Sequence, residues 1–243
     1  MKFENTEVFN FEGAIRGMRN PMNSWEKSDS KNKCVCSDDG QLYDEPCGYD
    51  ACCHGCNFEH EFVIGKNDLE LAQKLIKAGE PHRKFLRQIF VSVDIIAPLY
   101  WWKEFDTYKV GTVANSTSTM HKLASTPITK DCFEMDDYED VDVPLDCGAN
   151  VYNFHHFWKN LIIQLEWMRQ KYNETKDKRY WKELIRLLPE SFLQKRTVTM
   201  NYENILNMVK YRENHKLTEW SISFMKWVKS LPYANEFIFI NNK

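Results

Sequence analysis

Apolar residues recur along this chain with two different periods, and each period predicts its own kind of element. In residues 67–79 the apolar positions have helical spacing, which predicts a helix that Asn67 caps and Gly79 ends. In residues 88–96 apolar and polar positions alternate, which predicts a strand. Pro98 then opens a second helix through three consecutive aromatic residues.

The C-terminal part of the chain shows mainly the helical period. Pro189 stops one helix, and residues 196–200 predict a short strand leading to Asn201. Asn201 is the expected N-cap of a helix over 202–212, and one long final helix is predicted over 217–231. The order of elements predicts an α/β (α+β) fold with an antiparallel sheet and long helices.

A row of small polar residues follows the aromatic segment. Tyr100, Trp101 and Trp102 suit a core or a subunit interface, whereas residues 107–119 are rich in Thr, Ser, Asn and Gly. Such a row makes a poor core and a good lining for a polar ligand. We call residues 107–119 the hydroxyl segment, and we expect a loop or an irregular helix start there.

The bulk composition narrows the classes of partner. The chain has 243 residues, 43 % of them apolar and 28 % charged, as in an ordinary soluble globular protein. The net charge of −3 argues against binding duplex nucleic acid. No apolar run approaches the roughly 18 residues of a membrane span, and residues 1–20 lack an apolar signal core, so we expect a cytoplasmic protein.

Six of the eight cysteines crowd into residues 34–56. In a reducing compartment this density indicates metal ligation rather than disulfides, and zinc prefers four thiolate or imidazole ligands. A structural zinc would be held by Cys34, Cys36, Cys53 and Cys56, with Cys47, Cys52 and His54 as competing ligands. The alternatives are an iron–sulfur cluster and a metal-free insertion. We therefore predict a single domain over 1–243 that carries a Cys-rich insertion at 31–62.

Two separated stretches resemble the flavin-dependent thymidylate synthases. In that family a strand leads through a small-residue step into a helix, followed by an Arg-His-Arg triplet, seven residues and a Ser. The corresponding residues here are Ala97-Pro98, the triplet Thr107-Tyr108-Lys109, and Thr117 after seven residues. A later block also resembles the family, and it matches at Leu188-Pro189, Asn201, Asn207, Arg212 and His215. His82 stands at a position that the family often fills with His.

The resemblance implies a homotetramer that binds FAD and dUMP at subunit interfaces. Such an enzyme takes a methylene group from methylenetetrahydrofolate and reduces it with hydride passed from NADPH through the flavin, without a Cys nucleophile. Arg212 would be the catalytic residue that faces the pyrimidine ring. The cofactor-binding residues would be Asn201, Asn207, Tyr108, Lys109 and His82. The substrate-binding residues would be Lys109, Asn115, Ser116, Thr117, Ser118, Thr119 and Arg212.

The chain departs from the family at the residues that bind phosphate. Of the triplet only Lys109 is cationic, and Thr119 replaces a further Arg. A Lys cannot reproduce the bidentate fork of Arg, so a phosphate site would be weakened. Two hypotheses follow: a thymidylate synthase (FAD)-like methyltransferase, or an inactive protein that binds or sequesters a nucleotide. Without the resemblance, Asn201 is explained as an N-cap and Arg212 as a charge favourable to the helix dipole.

Overall fold

The computed structural model describes residues 1–35, 42–43, 60–135, 142–143 and 152–240. The predicted zinc ligands Cys36, Cys53 and Cys56 lie outside the described residues, as do the competing ligands Cys47, Cys52 and His54, and of Cys34 only the backbone is described. The zinc site and most of the 31–62 insertion therefore stay predictions.

The described chain mixes helices and sheets, which confirms the predicted fold class. The strands are β1 (Lys2–Phe9), β2 (Lys31–Val35), β3 (Leu42–Tyr43), β4 (His60–Val63), β5 (Phe90–Pro98), β6 (Val113–Ser116), β7 (Asp142–Val143), β8 (Tyr152–Asn153) and β9 (Leu193–Asn201). The α-helices are α1 (Phe11–Met18), α2 (Lys66–Lys77), α3 (Leu99–Phe105), α4 (Thr119–Lys122), α5 (Phe154–Thr175), α6 (Lys178–Leu187), α7 (Tyr202–Arg212), α8 (Met225–Lys229) and α9 (Ala234–Phe237). Among the described residues no helix is long and apolar enough to cross a membrane.

Three sheets form among the described strands. The largest has the order β1-β5-β9-β6, so β6 lies at one edge. In a second sheet β2 lies between β3 and β4 and pairs antiparallel with both, which joins the two ends of the Cys-rich insertion. β7 and β8 form a separate antiparallel pair.

Internal contacts divide the chain into two compact units. The first unit comprises residues 1–6, 93–109 and 113–198. One of its cores is the cluster in which α5 and α6 pack against the segment after α4, built on Leu123, Ile128, Phe133, Leu165, Met168 and Leu184. The prediction of one domain over 1–243 stays a prediction.

Helix α3 buries the aromatic segment of the first unit. Pro98 is its N-cap, and Trp101 and Trp102 are at most 1 % exposed. Their rings meet edge to face at 4.9 Å, and the indole N–H of Trp102 donates to the carbonyl of Gln194 at 3.0 Å. The core interpretation of this segment is therefore confirmed for both tryptophans.

The second unit comprises residues 7–92, 110–112 and 199–243, and aromatic side chains fill its centre. Phe11 meets the rings of Tyr202 and Tyr233 at 5.5 Å each. The hydroxyl of Tyr202 donates to the carbonyl of Pro232 at 2.7 Å, and burial raises the pKa of this phenol. A buried tyrosine with a bonded hydroxyl is typical of a well-packed core.

Helix α2 begins differently from the prediction. Its N-cap is Gly65, not Asn67, and the helix extends from Lys66. The carboxylate of Asp29 accepts from the backbone N–H groups of Asn67 at 2.9 Å and Asp68 at 3.2 Å. The expected N-cap was wrong because a side chain distant in sequence satisfies the first amides of the helix.

A buried carboxylate fixes the chain just before the Cys-rich insertion. Asp68 has no exposed surface and accepts from the guanidinium of Arg19 at 2.5 Å. It also accepts from the hydroxyls of Ser28 at 2.7 Å and Ser30 at 2.5 Å. Burial would raise the pKa of Asp68, but the hydrogen bonds from Ser30, Ser28 and Arg19 outweigh it and lower that pKa.

The predicted final helix is not one regular helix. Residues Glu219–Phe224 form a π-helix, and α8 follows it. The wider π-turn changes the register of the helix, and Trp220 and Phe224 are still fully buried, with their rings 5.1 Å apart. The sequence period alone did not distinguish this irregular helix from a straight one.

Candidate functional site

Each compact unit holds its own group of sequence-predicted site residues. The first unit contains Tyr108, Lys109, Asn115, Ser116, Thr117, Ser118 and Thr119. The second unit contains His82, Asn201, Asn207 and Arg212.

The hydroxyl segment is a loop from Thr107 to Thr112, as expected, and a strand then follows within it. Asn115 and Ser116 belong to β6, whose four residues are all exposed. Ser118 then caps α4, because its hydroxyl accepts from the backbone N–H of His121 at 3.0 Å. The strand was not predicted because it forms through pairing with β9, a segment distant in sequence.

A cavity of about 310 Å³ opens beside this segment in the first unit. Its apolar side is formed by Ile96, Leu123, Ile128, Phe192 and Leu193. Its polar side is formed by Thr117, Ser118, Thr119, Lys122, Thr126 and Lys195. The cavity thus combines hydroxyls and ammonium groups with an apolar wall, the composition of a small-molecule site.

Strand β9 holds the first hydroxyl of the cavity in place. The backbone N–H of Thr117 donates to the carbonyl of Lys195 at 2.9 Å, and the side-chain amide of Gln194 donates to the carbonyl of Thr117 at 2.8 Å. Arg196 in turn donates to the amide oxygen of Gln194 at 3.0 Å and lies over the ring of Trp102 at 4.2 Å. Sequence reasoning missed Gln194 and Arg196, because only their strand spacing is visible in the sequence.

The two lysines of the cavity differ in their ionic surroundings. Lys195 pairs with Asp94 at 2.9 Å and with Glu4 at 3.6 Å. Hydrogen bonds from Thr197, Asn5 and Lys195 lower the pKa of Asp94 to about 2, so this carboxylate stays charged at neutral pH. Within the described ranges, the ammonium of Lys122 has no carboxylate partner.

The triplet residues do not line this cavity. Lys109 is exposed and Tyr108 is half-buried, and neither belongs to the cavity wall. Asn115 and Ser116 are also absent from it, whereas Thr117, Ser118 and Thr119 form part of it. The structure therefore brings three of the predicted substrate-binding residues together.

In the second unit Asn201 takes part in a reciprocal cap. Its side-chain oxygen accepts from the backbone N–H of Asn204 at 3.0 Å, and the Asn204 oxygen accepts from the N–H of Asn201 at 3.2 Å. The amide of Asn204 also donates to the carbonyl of Val110 at 2.6 Å. The N-cap predicted at Asn201 is confirmed, and the same cap fixes the residues that follow the altered triplet.

Asn207 is oriented by a network of charged side chains. Arg83 donates to the Asn207 side-chain oxygen at 3.2 Å and to Glu203 at 3.1 Å. Arg87 also donates to Glu203, a buried carboxylate, and pairs with Glu80 at 3.0 Å. The amide NH₂ of Asn207 has no partner in the part of the chain that the structure describes, so Asn207 offers a donor.

The remaining predicted residues of the second unit are Arg212, His82 and His215. Arg212 ends α7, and its guanidinium lies 5.1 Å from the centre of the Trp220 ring. His82 is exposed. The ring of His215 accepts from the backbone N–H of Leu217 at 3.1 Å. The predicted cofactor-binding residue Asn207 is thus oriented by an arginine.

Among the described residues, no group of three or more His, Cys, Asp and Glu side chains is placed to hold a metal ion.

The whole chain is similar in fold to solved structures of a flavin-dependent enzyme. One is the flavin-dependent thymidylate synthase ThyX from Helicobacter pylori complexed with FAD and dUMP, with a TM-score of 0.63, 15 % identity, and 99 % of both chains covered. A second structure, Thymidylate Synthase X from Helicobacter pylori with FAD and dUMP, gives a TM-score of 0.63 at 16 % identity, covering 99 % of this chain and 98 % of that one. No family model matches the sequence. No curated protein matches it. The fold implied by the resemblance is therefore confirmed.

Proposed function

We propose that this protein binds a pyrimidine nucleotide of the dUMP class, and FAD with it, on a scaffold of the flavin-dependent thymidylate synthase type. The observation that carries the proposal is the fold likeness over 99 % of both chains to a protein complexed with FAD and dUMP. The polar cavity beside β6 and the orientation of Asn207 add independent support.

The donors of the second unit suit the carbonyl edge of a flavin or a uracil. The side-chain oxygens of Asn201 and Asn207 are occupied by Asn204 and Arg83. Their amide NH₂ groups have no acceptor in the described ranges and are left to donate, and ring carbonyls accept such hydrogen bonds. Bound FAD would supply hydride transfer, and Arg212 would donate to a carbonyl of the pyrimidine ring.

The pyrophosphate of FAD is less well matched by the described residues. Arg83 and Arg87 already face the buried Glu203, and of the triplet only Lys109 carries a positive charge. An arginine whose charge is balanced by a carboxylate attracts a phosphate weakly. We therefore expect this protein to hold FAD more weakly than it holds the mononucleotide.

Two outcomes of nucleotide binding are proposed. In the first the protein is a thymidylate synthase (FAD)-like methyltransferase that methylates or reduces the pyrimidine ring. In the second it captures a nucleotide without turnover, and the replacement of the family's Arg and His by Thr107 and Tyr108 favours this alternative.

We further propose a homotetramer, which light scattering tests against the 29.0 kDa mass of one chain.

The test supplies dUMP, FAD, NADPH and methylenetetrahydrofolate to the purified protein and measures dTMP by chromatography. Wild-type turnover that Arg212→Ala abolishes supports the enzyme, with Arg186→Ala on exposed α6 as the control. Retention of dUMP without product supports the capture protein. A protein that retains neither dUMP nor flavin contradicts the proposal.

A further inference from the structure

The cavity beside β6 and α4 is lined by Lys122, a cation without a carboxylate partner among the described residues. We infer that Lys122 anchors the phosphate of a phosphomonoester in this cavity. The assignment of that ligand as a pyrimidine mononucleotide rests on the proposed function. The anchoring role of Lys122 rests on the cavity alone.

The charges around the cavity distinguish its two lysines. Lys195 lies 2.9 Å from Asp94 and 3.6 Å from Glu4, so its charge is already compensated. Lys122 lines the same cavity and has no ion pair within the described ranges. An anion entering the cavity would therefore meet a net positive potential at Lys122.

The hydroxyls beside Lys122 are arranged to donate. The oxygen of Ser118 accepts the backbone N–H of His121 at 3.0 Å, which leaves its own proton for a ligand. The backbone of Thr117 is held on both sides by β9, through 2.9 and 2.8 Å hydrogen bonds to Lys195 and Gln194. A segment whose backbone is fixed before binding loses little freedom when an anion binds.

The size and the apolar wall of the cavity limit the ligand. A volume of about 310 Å³ lies at the low end of the roughly 300–1,000 Å³ that small-molecule sites span. Leu123, Ile128 and Phe192 are apolar residues of the cavity lining, so they favour a ligand with an apolar part. The cavity suits a mononucleotide, whereas a dinucleotide such as FAD would exceed it.

This assignment moves the phosphate contact away from the triplet. The sequence placed the phosphate at Lys109, because Lys109 is the remaining cation of the triplet. Lys109 does not line the cavity, and Lys122 lies five residues after Thr117 on α4. The two assignments therefore differ in which replacement should weaken binding: that of Lys109 if the triplet holds the phosphate, and that of Lys122 if the cavity does.

The test compares binding by Lys122→Gln, Lys122→Arg and Lys109→Gln with the wild type. Calorimetry uses three probes: dUMP, deoxyuridine, and phenyl phosphate as a phosphomonoester with a simple ring. We expect Lys122→Gln to bind dUMP and phenyl phosphate at least about tenfold more weakly, the loss of a charge-assisted hydrogen bond, and Lys122→Arg to retain binding. Lys109→Gln and the control Lys182→Gln, on exposed α6, should bind as the wild type does.

A second readout locates the ligand. Cys132 lines the cavity and is half-buried, so its alkylation rate, followed by peptide mapping, reports occupancy. Phenyl phosphate and dUMP should each slow alkylation of Cys132 in the wild type and in Lys122→Arg, but not in Lys122→Gln.

The outcomes separate this inference from the proposed function. If dUMP binds equally well to Lys122→Gln, or leaves the alkylation of Cys132 unchanged, Lys122 is not the anchor and nucleotide binding stands without it. If phenyl phosphate binds through Lys122 but dUMP does not bind, the anchor stands and the nucleotide function falls. If neither probe binds the wild type, both are overturned.

Discussion

Gly111 shows how a single residue constrains the chain next to the altered triplet. It adopts φ +78°, a conformation that side chains disfavour. A Cβ at this position would also lie 2.9 Å from side-chain atoms of Asn201 and Asn204. The cap of α7 and the turn after the triplet therefore depend on each other at this glycine.

Replacing Gly111 by Ala should destabilise the protein by about 1–3 kcal/mol, because the backbone is strained and the two Asn side chains must move. Gly79→Ala is the matched control, since Gly79 also has positive φ but no atom lies within 4 Å of an added Cβ. Denaturant unfolding compares the two variants. If the two variants lose the same free energy of unfolding, the close approach of Gly111 to the cap does not add to the cost of replacing it.

The elements of this chain differ in how much of their start is encoded locally. The cap of α7 is local, because Asn201 and Asn204 lie three residues apart and bond reciprocally. The cap of α2 is not local, because the backbone N–H of Asn67 donates to the carboxylate of Asp29, which lies 38 residues earlier in the chain. Helix ends of the second kind cannot be assigned from neighbouring residues.

The cap of α2 gives a direct test. Asp29→Ala should lower the free energy of unfolding by about 0.5–2 kcal/mol, the usual loss on removing an N-cap. Asn67→Ala should change it by less than about 0.5 kcal/mol, as for an ordinary exposed helix position. The opposite ranking in urea unfolding would restore Asn67 as the cap.

Glu166 connects α5 to the segment that forms one wall of the cavity. It accepts from Arg169 at 2.7 Å and from the backbone N–H of Ile128 at 2.8 Å. Hydrogen bonds from Arg169, and also those from Ile128 and Gln170, lower the pKa of Glu166 from 4.5 to about 2, although burial opposes them. A carboxylate with a lowered pKa stabilises the fold above its unfolded pKa, and this contribution is lost as the pH falls.

Glu166→Gln should therefore be less stable than the wild type at pH 7, and the difference should shrink between about pH 4.5 and pH 2. Thermal unfolding of both proteins at pH 7 and pH 3 measures it. A difference that is the same at both pH values would contradict the role assigned to this carboxylate.

The sequence predicted the elements better than it predicted the site. The alternation of 88–96 and the cap at Asn201 were confirmed, because both depend on neighbouring residues. The orientation of Asn207 depends on Arg83, 124 residues away, and the cavity unites residues of β5, α4 and β9. Contacts of that range leave no local pattern, so Lys122 and Arg83 were missed.

At the scale of the whole molecule, the fold persists although most side chains differ. The likeness to the FAD and dUMP complex covers 99 % of both chains at 15 % identity. Volume-conserving changes keep a fold while the site residues diverge. The likeness therefore shows a shared fold and assigns no role to individual side chains.

The zinc predicted for the insertion is testable on the intact protein. Protein purified without added metal should contain about one zinc per chain, and a chelator should lower its melting temperature. The lower melting temperature is expected because a structural zinc stabilises a small segment that lacks an apolar core of its own. Metal-free protein that melts at the same temperature with and without chelator would contradict a structural metal.

The most direct test of the central claim is a calorimetric titration of the wild-type protein with dUMP and with deoxyuridine. The account predicts saturable binding of dUMP with one site per chain, and binding of deoxyuridine that is at least about tenfold weaker because it lacks the phosphate. Raising the salt concentration should weaken the binding of dUMP more than the binding of deoxyuridine, because only dUMP carries a charged phosphate. If neither compound gives a heat of binding, the chain shares the fold of these enzymes but does not bind their nucleotide.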